Sequence, residues 1–266
     1  MASLVKTWQK WYILLAVNDS INIIGKELIK LPFYHDLSSY YDQIFPLNQT
    51  ANTFITQYFH KGNSVLDMGA GTGNMAIALA ENGLNVTASE PEETMAESIK
   101  KKAKSKGLLL SVHTKAMEEI DKFQENFDGI LCIGNTLPHL SNLEGVEKFL
   151  QKCYIKLNPD GIIILQQVNY DRVLSKNDFS FPAIEKEDFT FTRHYEKKDE
   201  HLLFTSGLTI NGDSTENTIP LYPVTSQQLI TILKKVGFQV VDVFGNFKGE
   251  SHSIESPALV TIARKL

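Results

Sequence analysis

The segment Asp67-Met-Gly69-Ala-Gly71-Thr-Gly73-Asn74 constrains this chain more than any other. It follows a short apolar run, Ser64-Val-Leu-Asp67, and precedes a helix-periodic stretch from Met75 to Asn82 that Gly83 ends. A strand running into three glycines and then a helix is a ligand-binding turn. Without a Cβ the backbone approaches the ligand closely, and the helix start offers unpaired N–H groups. Two details narrow the ligand. A dinucleotide fingerprint has its third glycine or alanine where Asn74 stands, and here Gly73 comes one residue early. Asp67, two residues before the first glycine, would repel a pyrophosphate but can hold the amino end of a zwitterion, directly or through water.

Glu90 lies 17 residues past Gly73, at the end of a second strand over Asn85 to Ser89. A carboxylate there has two oxygens with which to accept hydrogen bonds from ribose hydroxyls; the bland alternative is a surface acid near a helix start. A nucleoside with an amino-acid tail and no phosphate answers both acids. S-adenosylmethionine fits best, and Asp67 and Asn74 count against a nicotinamide dehydrogenase.

From Phe54 onward, strand and helix periods alternate. Strands are expected at 85–89, 108–112, 127–133 and 162–166, with helices from Pro91 to Gly107 and from 143 to 157 and a turn at 158–161. This pattern implies right-handed crossovers and a parallel sheet. After Leu174 the texture changes. Phe189 to Tyr195 and His201 to Ile210 alternate in strand fashion about the charged turn Glu196 to Glu200, an antiparallel insertion over about 179–221. A helix from Thr225 to Lys235 and strands at 238–244 and 258–263 close the domain. One α/β domain thus covers 33–266, with its core at about 54–174 and closing elements at 222–266.

Residues 1–32 read as an amphipathic helix: Ile13, Val17, Ile21, Ile24, Leu28 and Leu31 form one stripe, ended by Pro32. Its apolar run from Trp11 to Val17 is far short of a membrane span, and no cleavage site follows it. The stripe would pack on the body or on a neighbouring subunit, which makes a homodimer one possible arrangement. The net charge of −5 argues against broad adhesion to nucleic acid or anionic lipid. Lys100, Lys101, Lys102, Lys104 and Lys106 have no aromatic residue among them and suit a solvated helix C-terminus. Cys132 and Cys153 support neither a disulfide framework nor a zinc site, and the seven histidines show no ligand spacing. A reducing, cytoplasmic setting without a metal or a membrane is expected.

From about Phe33 to Leu266 the chain resembles the S-adenosylmethionine-dependent methyltransferases, on the strength of D-M-G-A-G-T-G and Glu90. The resemblance implies a Rossmann-like, doubly wound, mostly parallel sheet. It implies that Gly69, Gly71 and Gly73 line the methionine and ribose side, that Asp67 neighbours the amino group, and that Glu90 grips the ribose. Ala116 and Met117 would meet the adenine, although Lys115 stands where many relatives carry aspartate. Gly134-Asn135-Thr-Leu-Pro-His139-Leu and Asn169-Tyr-Asp-Arg172 are similar to segments of glycine N-methyltransferase and its small-molecule relatives. They add Asn135 to the cofactor candidates and Asn169 and Arg172 to the acceptor candidates. Where the glycine enzyme has an arginine for the substrate carboxylate, this chain has Val168, which counts against glycine as the acceptor, although Arg172 or Arg193 could hold an acid from elsewhere.

His139 is the candidate proton acceptor or a neighbour of the methionine carboxylate, against a reading in which its ring only supports the loop. Tyr41, in a stretch resembling the F-Y-D and Y-Y-D openings of such enzymes, is the candidate aromatic closing over the cofactor, against plain core packing. The resulting expectation is methyl transfer to nitrogen or oxygen of a small molecule. Its rivals are a methyltransferase acting on RNA or protein, disfavoured by the acidic charge and the lack of N-P-P-Y, and a domain that binds S-adenosylmethionine without turnover.

Overall fold

The computed structural model describes residues 37–177 and 179–266, so the helix expected over 1–32 lies outside the described residues. Helix α1 (37–44) leads into α2 (Gln49–Thr56), where Asn48 caps the first turn by accepting from the Ala51 N–H at 3.0 Å. The alternating elements then follow in turn: β1 (Ser64–Met68), α3 (Asn74–Glu81), β2 (Asn85–Ser89), α4 (Glu93–Ser105), β3 (Ser111–His113) and β4 (Phe127–Cys132). After them come α5 (Leu143–Lys156), β5 (Leu157–Val168) and the short α6 (Tyr170–Lys176). An inserted group, β6 (Ile184–Glu185), β7 (Phe189–Lys198), β8 (His201–Ile210) and β9 (Asp213–Leu221), precedes α7 (Ser226–Val236), β10 (Phe238–Phe244) and β11 (Ala258–Lys265).

The main sheet has the order β10-β11-β5-β4-β1-β2-β3, with β1 to β5 parallel and β11 antiparallel to both of its neighbours. The chain runs outward from β1 to β3 and then returns to β4. The connections leaving β1 and β4 therefore diverge, which opens a crevice at their carboxyl ends. Both faces of the sheet are covered, and β5 shows why its sequence is continuously apolar. Ile162 and Ile164 face a cluster with Leu79 and Val86, whereas Ile163 and Leu165 face Phe149 of α5 and Leu229 of α7.

Several boundaries differ from the sequence expectation. The third strand begins at Ser111, not Leu108, because an edge strand pairs only with β2 and Leu109 is 96% exposed. The expected turn at 158–161 is a bulge inside β5: Phe127 pairs with Leu157, yet Gly129 pairs with Ile162. The α4 helix starts after Pro91, with the Glu92 carboxylate capping the Met95 N–H at 2.7 Å.

The inserted strands form a separate antiparallel sheet in the order β6-β7-β8-β9. Asn211 and Gly212, both at positive φ (51° and 92°), make the tight β8–β9 turn that requires two left-handed residues. One face of this sheet is buried and anchored twice. Phe189, Phe191 and Leu208 pack on Leu37 and Ile44 of α1 and on Met95 of α4. Tyr195, Leu202 and Ile219 pack on Tyr170 and Val173 of α6. Because α1, the start of α4 and the start of α6 all lie at the carboxyl ends of the parallel strands, the inserted sheet roofs that end.

Candidate active site

The glycine turn after β1 is held on β2, where the N–H groups of Gly69 and Ala70 both donate to the Ser89 carbonyl, at 2.8 and 3.1 Å. Gly69 and Gly71 adopt positive φ (74° and 56°), and neither has room for a side chain. A Cβ on Gly69 would lie 2.4 Å from Thr136, in the loop after β4. One on Gly71 would lie 2.9 Å from the Tyr41 hydroxyl of α1. Both positions therefore require glycine, which leaves bare backbone at the turn.

Two carboxylates converge on this turn. Asp67 is 2% exposed and its Oδ2 has no hydrogen-bond partner. Burial first, and the nearby Glu90 second, push its carboxyl up to about 7, opposed by the backbone N–H of Ala76. Glu90 is anchored through both oxygens, with Oε2 accepting from the Gly71 N–H at 2.8 Å and Oε1 from the Glu92 N–H at 3.1 Å. Burial raises its carboxyl too, against those two donors. A buried carboxylate oxygen without a partner calls for a cationic or donor group, and an ammonium supplies it. Asp67 and Glu90 on either side of a bare backbone therefore fit a ligand with an ammonium at one end and a sugar diol near the other.

The remaining sequence candidates fall into three groups. Tyr41 lies over Gly71, and its ring is 5.0 Å from Phe45. Met117 is buried with its sulfur 3.9 Å from Cys132, and the Ala116 N–H donates to the Glu119 carboxylate at 3.1 Å. Lys115 turns away, 4.2 Å over the Phe123 ring and 3.3 Å from His113 Nδ1. The second group braces loops. Asn135 accepts from the Val168 N–H and the Tyr170 hydroxyl, at 3.0 and 3.1 Å, so its carbonyl ties the β4 loop to the end of β5. The Asn169 amide donates to the carbonyls of Ser253, Ile254 and Ser256 at 3.0, 3.3 and 3.0 Å, fixing the loop before β11. Asn169→Ala is expected to lower stability by about 2–3 kcal/mol, which urea unfolding would read, because it strips buried carbonyls of their donor. The third group lies farther out: His139 is exposed in a short 3-10 turn, Leu137–His139, and Arg172 is half-buried on α6.

Sequence reasoning missed Asp42, which ties α1 to the glycine turn. Its Oδ1 accepts from Thr72 at 2.6 Å and Asn74 at 3.0 Å, and Lys102 pairs with it at 2.6 Å. Burial opposes its ionisation, but Lys102, Thr72 and Asn74 hold the carboxyl below its usual range. It also missed Tyr195, whose hydroxyl joins Tyr170 and Asn135 from the inserted sheet. Asp42 is the acid of the Y-Y-D stretch, but its bonds to Thr72, Asn74 and Lys102 link residues distant in sequence, and Tyr195 carries no local signal at all. An open cleft of about 720 Å³, lined by Asn85, Lys100, Lys104 and Leu109, lies at the opposite end of the strands, away from both carboxylates. Among the described residues there is no cluster that could hold a metal and no helix long and apolar enough to cross a membrane.

Residues 65–161 match the family model described as a methyltransferase domain. The glycine/sarcosine N-methyltransferase of Aphanothece halophytica is 26% identical over 210 residues, 77% of each chain. A methyltransferase structure from Streptomyces caelestis, CcbJ, superposes with a TM-score of 0.78 at 18% identity, covering 87% of this chain and 97% of that one. A structure described as an S-adenosylmethionine-dependent methyltransferase, from Clostridium acetobutylicum, gives 0.77 at 13% identity, covering 87% and 98%.

Proposed function

We propose that this chain, an S-adenosylmethionine-dependent methyltransferase of the Rossmann-like class, acts on a nitrogen or oxygen of a small molecule. The observation that carries this reading is the inserted sheet: anchored on α1 at one side and α6 at the other, it roofs the strand ends. A roofed crevice suits a small acceptor and leaves little access for a polymer. The name of the Aphanothece relative, which acts on glycine and sarcosine, supports the same class.

When bound, S-adenosylmethionine supplies a methyl group on a sulfonium, open to in-line attack. In this reading Asp67 takes the ammonium, Gly69 and Gly71 admit the backbone contact, Gly73 lets the turn pack on Ile99 of α4, where a Cβ would lie 2.8 Å away, and Glu90 holds the ribose. Ala116 and Met117 border the adenine, and Tyr41 closes the near side. Asn135 and Asn169 set the loops that shape the acceptor side, where Arg172 also lies. Such chemistry rests on positioning and exclusion of water, and an amine arriving neutral needs no dedicated base. His139 is the one histidine in these motifs, and its exposed ring gives an accepted proton a route to solvent. His139→Ala tests that role: slower turnover with unchanged cofactor affinity assigns the proton to His139, and an unchanged rate assigns it to water.

The proposal is tested by incubating the full chain with deuteromethyl S-adenosylmethionine and panels of amines, phenols and amino acids. Formation of S-adenosylhomocysteine with a deuteromethylated small product supports it. Labelling of RNA or protein alone, or tight cofactor binding without any product, would instead favour a polymer methyltransferase or a non-catalytic binding domain. We read the enzyme as cytoplasmic and, from its acidic charge, as independent of nucleic acid. Sedimentation of the full chain distinguishes a monomer from a homodimer.

A further inference from the structure

The buried face of the inserted sheet carries a polar row across three strands. Arg193 of β7 pairs directly with Ser206 of β8, which pairs directly with Asn217 of β9. Directly paired residues share a face, so the three side chains lie side by side. Ser206 and Asn217 are 5% and 9% exposed. Rows on either side are largely apolar: Phe191 and Leu208 on one, Tyr195, Phe204 and Ile219 on the other. Those flanking rows are the ones that dock on α1 and α6. The polar row therefore spans the gap between the two anchors, over the crevice.

Arg193 is the unusual member. Its guanidinium carbon lies 5.2 Å from the Phe181 ring, 5.6 Å from Phe191 and 5.9 Å from Phe45. It donates one long hydrogen bond among the described residues, from Nη2 to the Pro182 carbonyl at 3.4 Å, and its Nε is buried with no partner. Among the described residues no carboxylate pairs with it. Phe45 in turn touches Tyr41, which covers Gly71, and Tyr195 reaches Asn135 at the end of β4. The cation thus sits between the cofactor side and the β4–β5 side of the crevice. A guanidinium stacked among rings keeps its fork of donors available, and a planar carboxylate is the group that matches such a fork.

We infer that the row Arg193, Ser206 and Asn217 receives the carboxylate of the methyl acceptor, with Arg193 as the residue that selects for it. The inference rests on the methyltransferase reading and adds the acceptor's chemical class: an acid whose body lies against Phe45, Phe181 and Phe191.

The test is titration calorimetry of the full chain saturated with S-adenosylhomocysteine. Glycine, phenylalanine and anthranilate are each titrated in parallel with the corresponding primary amide. At least one acid is expected to bind about 10- to 100-fold more tightly than its amide, the range of hydrogen bonds to a charged partner. Arg193→Gln abolishes that preference while leaving S-adenosylhomocysteine affinity within about twofold. Arg193→Lys retains part of it, as a point charge without the fork. Equal binding of every acid and amide, or a preference that survives in Arg193→Gln, would overturn the inference. Should the glutamine variant fail to fold, the acid–amide comparison in the unaltered chain and the lysine variant decide the matter. Failure of S-adenosylhomocysteine itself to bind would bring down the cofactor reading, a result distinct from loss of acid preference alone.

Discussion

Asp67→Asn is expected to make the ligand-free protein more stable and its cofactor binding weaker. Asp67 is enclosed beside Glu90, and its carboxyl is raised from 3.8 to about 7. Between those values the folded chain holds a proton that the unfolded chain has released, so stability falls as pH rises through the window. The loss is on the order of 4 kcal/mol once pH exceeds 7, from about 1.4 kcal/mol per unit. Asparagine fills nearly the same volume, can still accept from the Ala76 N–H, and carries no charge to bury. Urea unfolding should therefore find the variant about 2–4 kcal/mol more stable than the parent at pH 8 and nearly equal to it near pH 4. Cofactor affinity should fall by about 10- to 100-fold, since an ammonium loses its charged partner. In the parent chain the same titration predicts affinity that rises with pH up to about 7, as the Asp67 carboxyl ionises. An asparagine variant no more stable than the parent at pH 8 would mean that the carboxylate is not strained in the folded chain.

Glu90→Ala is expected to cause the largest loss of cofactor affinity, about 100-fold or more, because two acceptor oxygens vanish together. The effect is compounded locally. The Gly71 N–H and the Glu92 N–H lose their shared partner, and the glycine turn loses the side chain that fixes it to the end of β2. Glu90→Gln separates the two contributions. The amide oxygen can keep one of the backbone donors but offers only one acceptor, so an intermediate affinity is expected. Removing the Glu90 charge should also lower the Asp67 carboxyl from about 7, visible as a shift in the pH profile of binding. An alanine variant that binds as the parent does would remove Glu90 from the site.

The parallel sheet and the position of the two carboxylates were legible in the sequence because both depend on local signals, whereas the strand order is set by long-range pairing. The alternation of strand and helix periods predicts the parallel sheet, and an acid before a glycine turn can be recognised within eight residues. The inserted hairpin was legible through its period of two about the charged turn Glu196 to Glu200. Other features depend on long-range pairing and leave no such trace. The partners of Asp42, the acid of the Y-Y-D stretch, come to it only because α1 packs on the glycine turn, and the register of β7, β8 and β9 alone aligns Arg193, Ser206 and Asn217. Asn135 and Asn169 were recognised as motif residues, whereas their bonds to the β5 end and to the loop at 253–257 depend on the folded chain. The β5 bulge escaped notice for a related reason: Asn158-Pro-Asp-Gly161 has turn chemistry, and only the pairing of its flanks keeps it within the strand.

Titration calorimetry of the full chain with S-adenosylhomocysteine and, separately, with NAD tests the central claim most directly. Micromolar binding of the sulfur nucleoside, lost in Glu90→Ala and accompanied by no heat from NAD, is the predicted result. Binding of NAD without S-adenosylhomocysteine would contradict the assignment of the glycine turn and its two carboxylates.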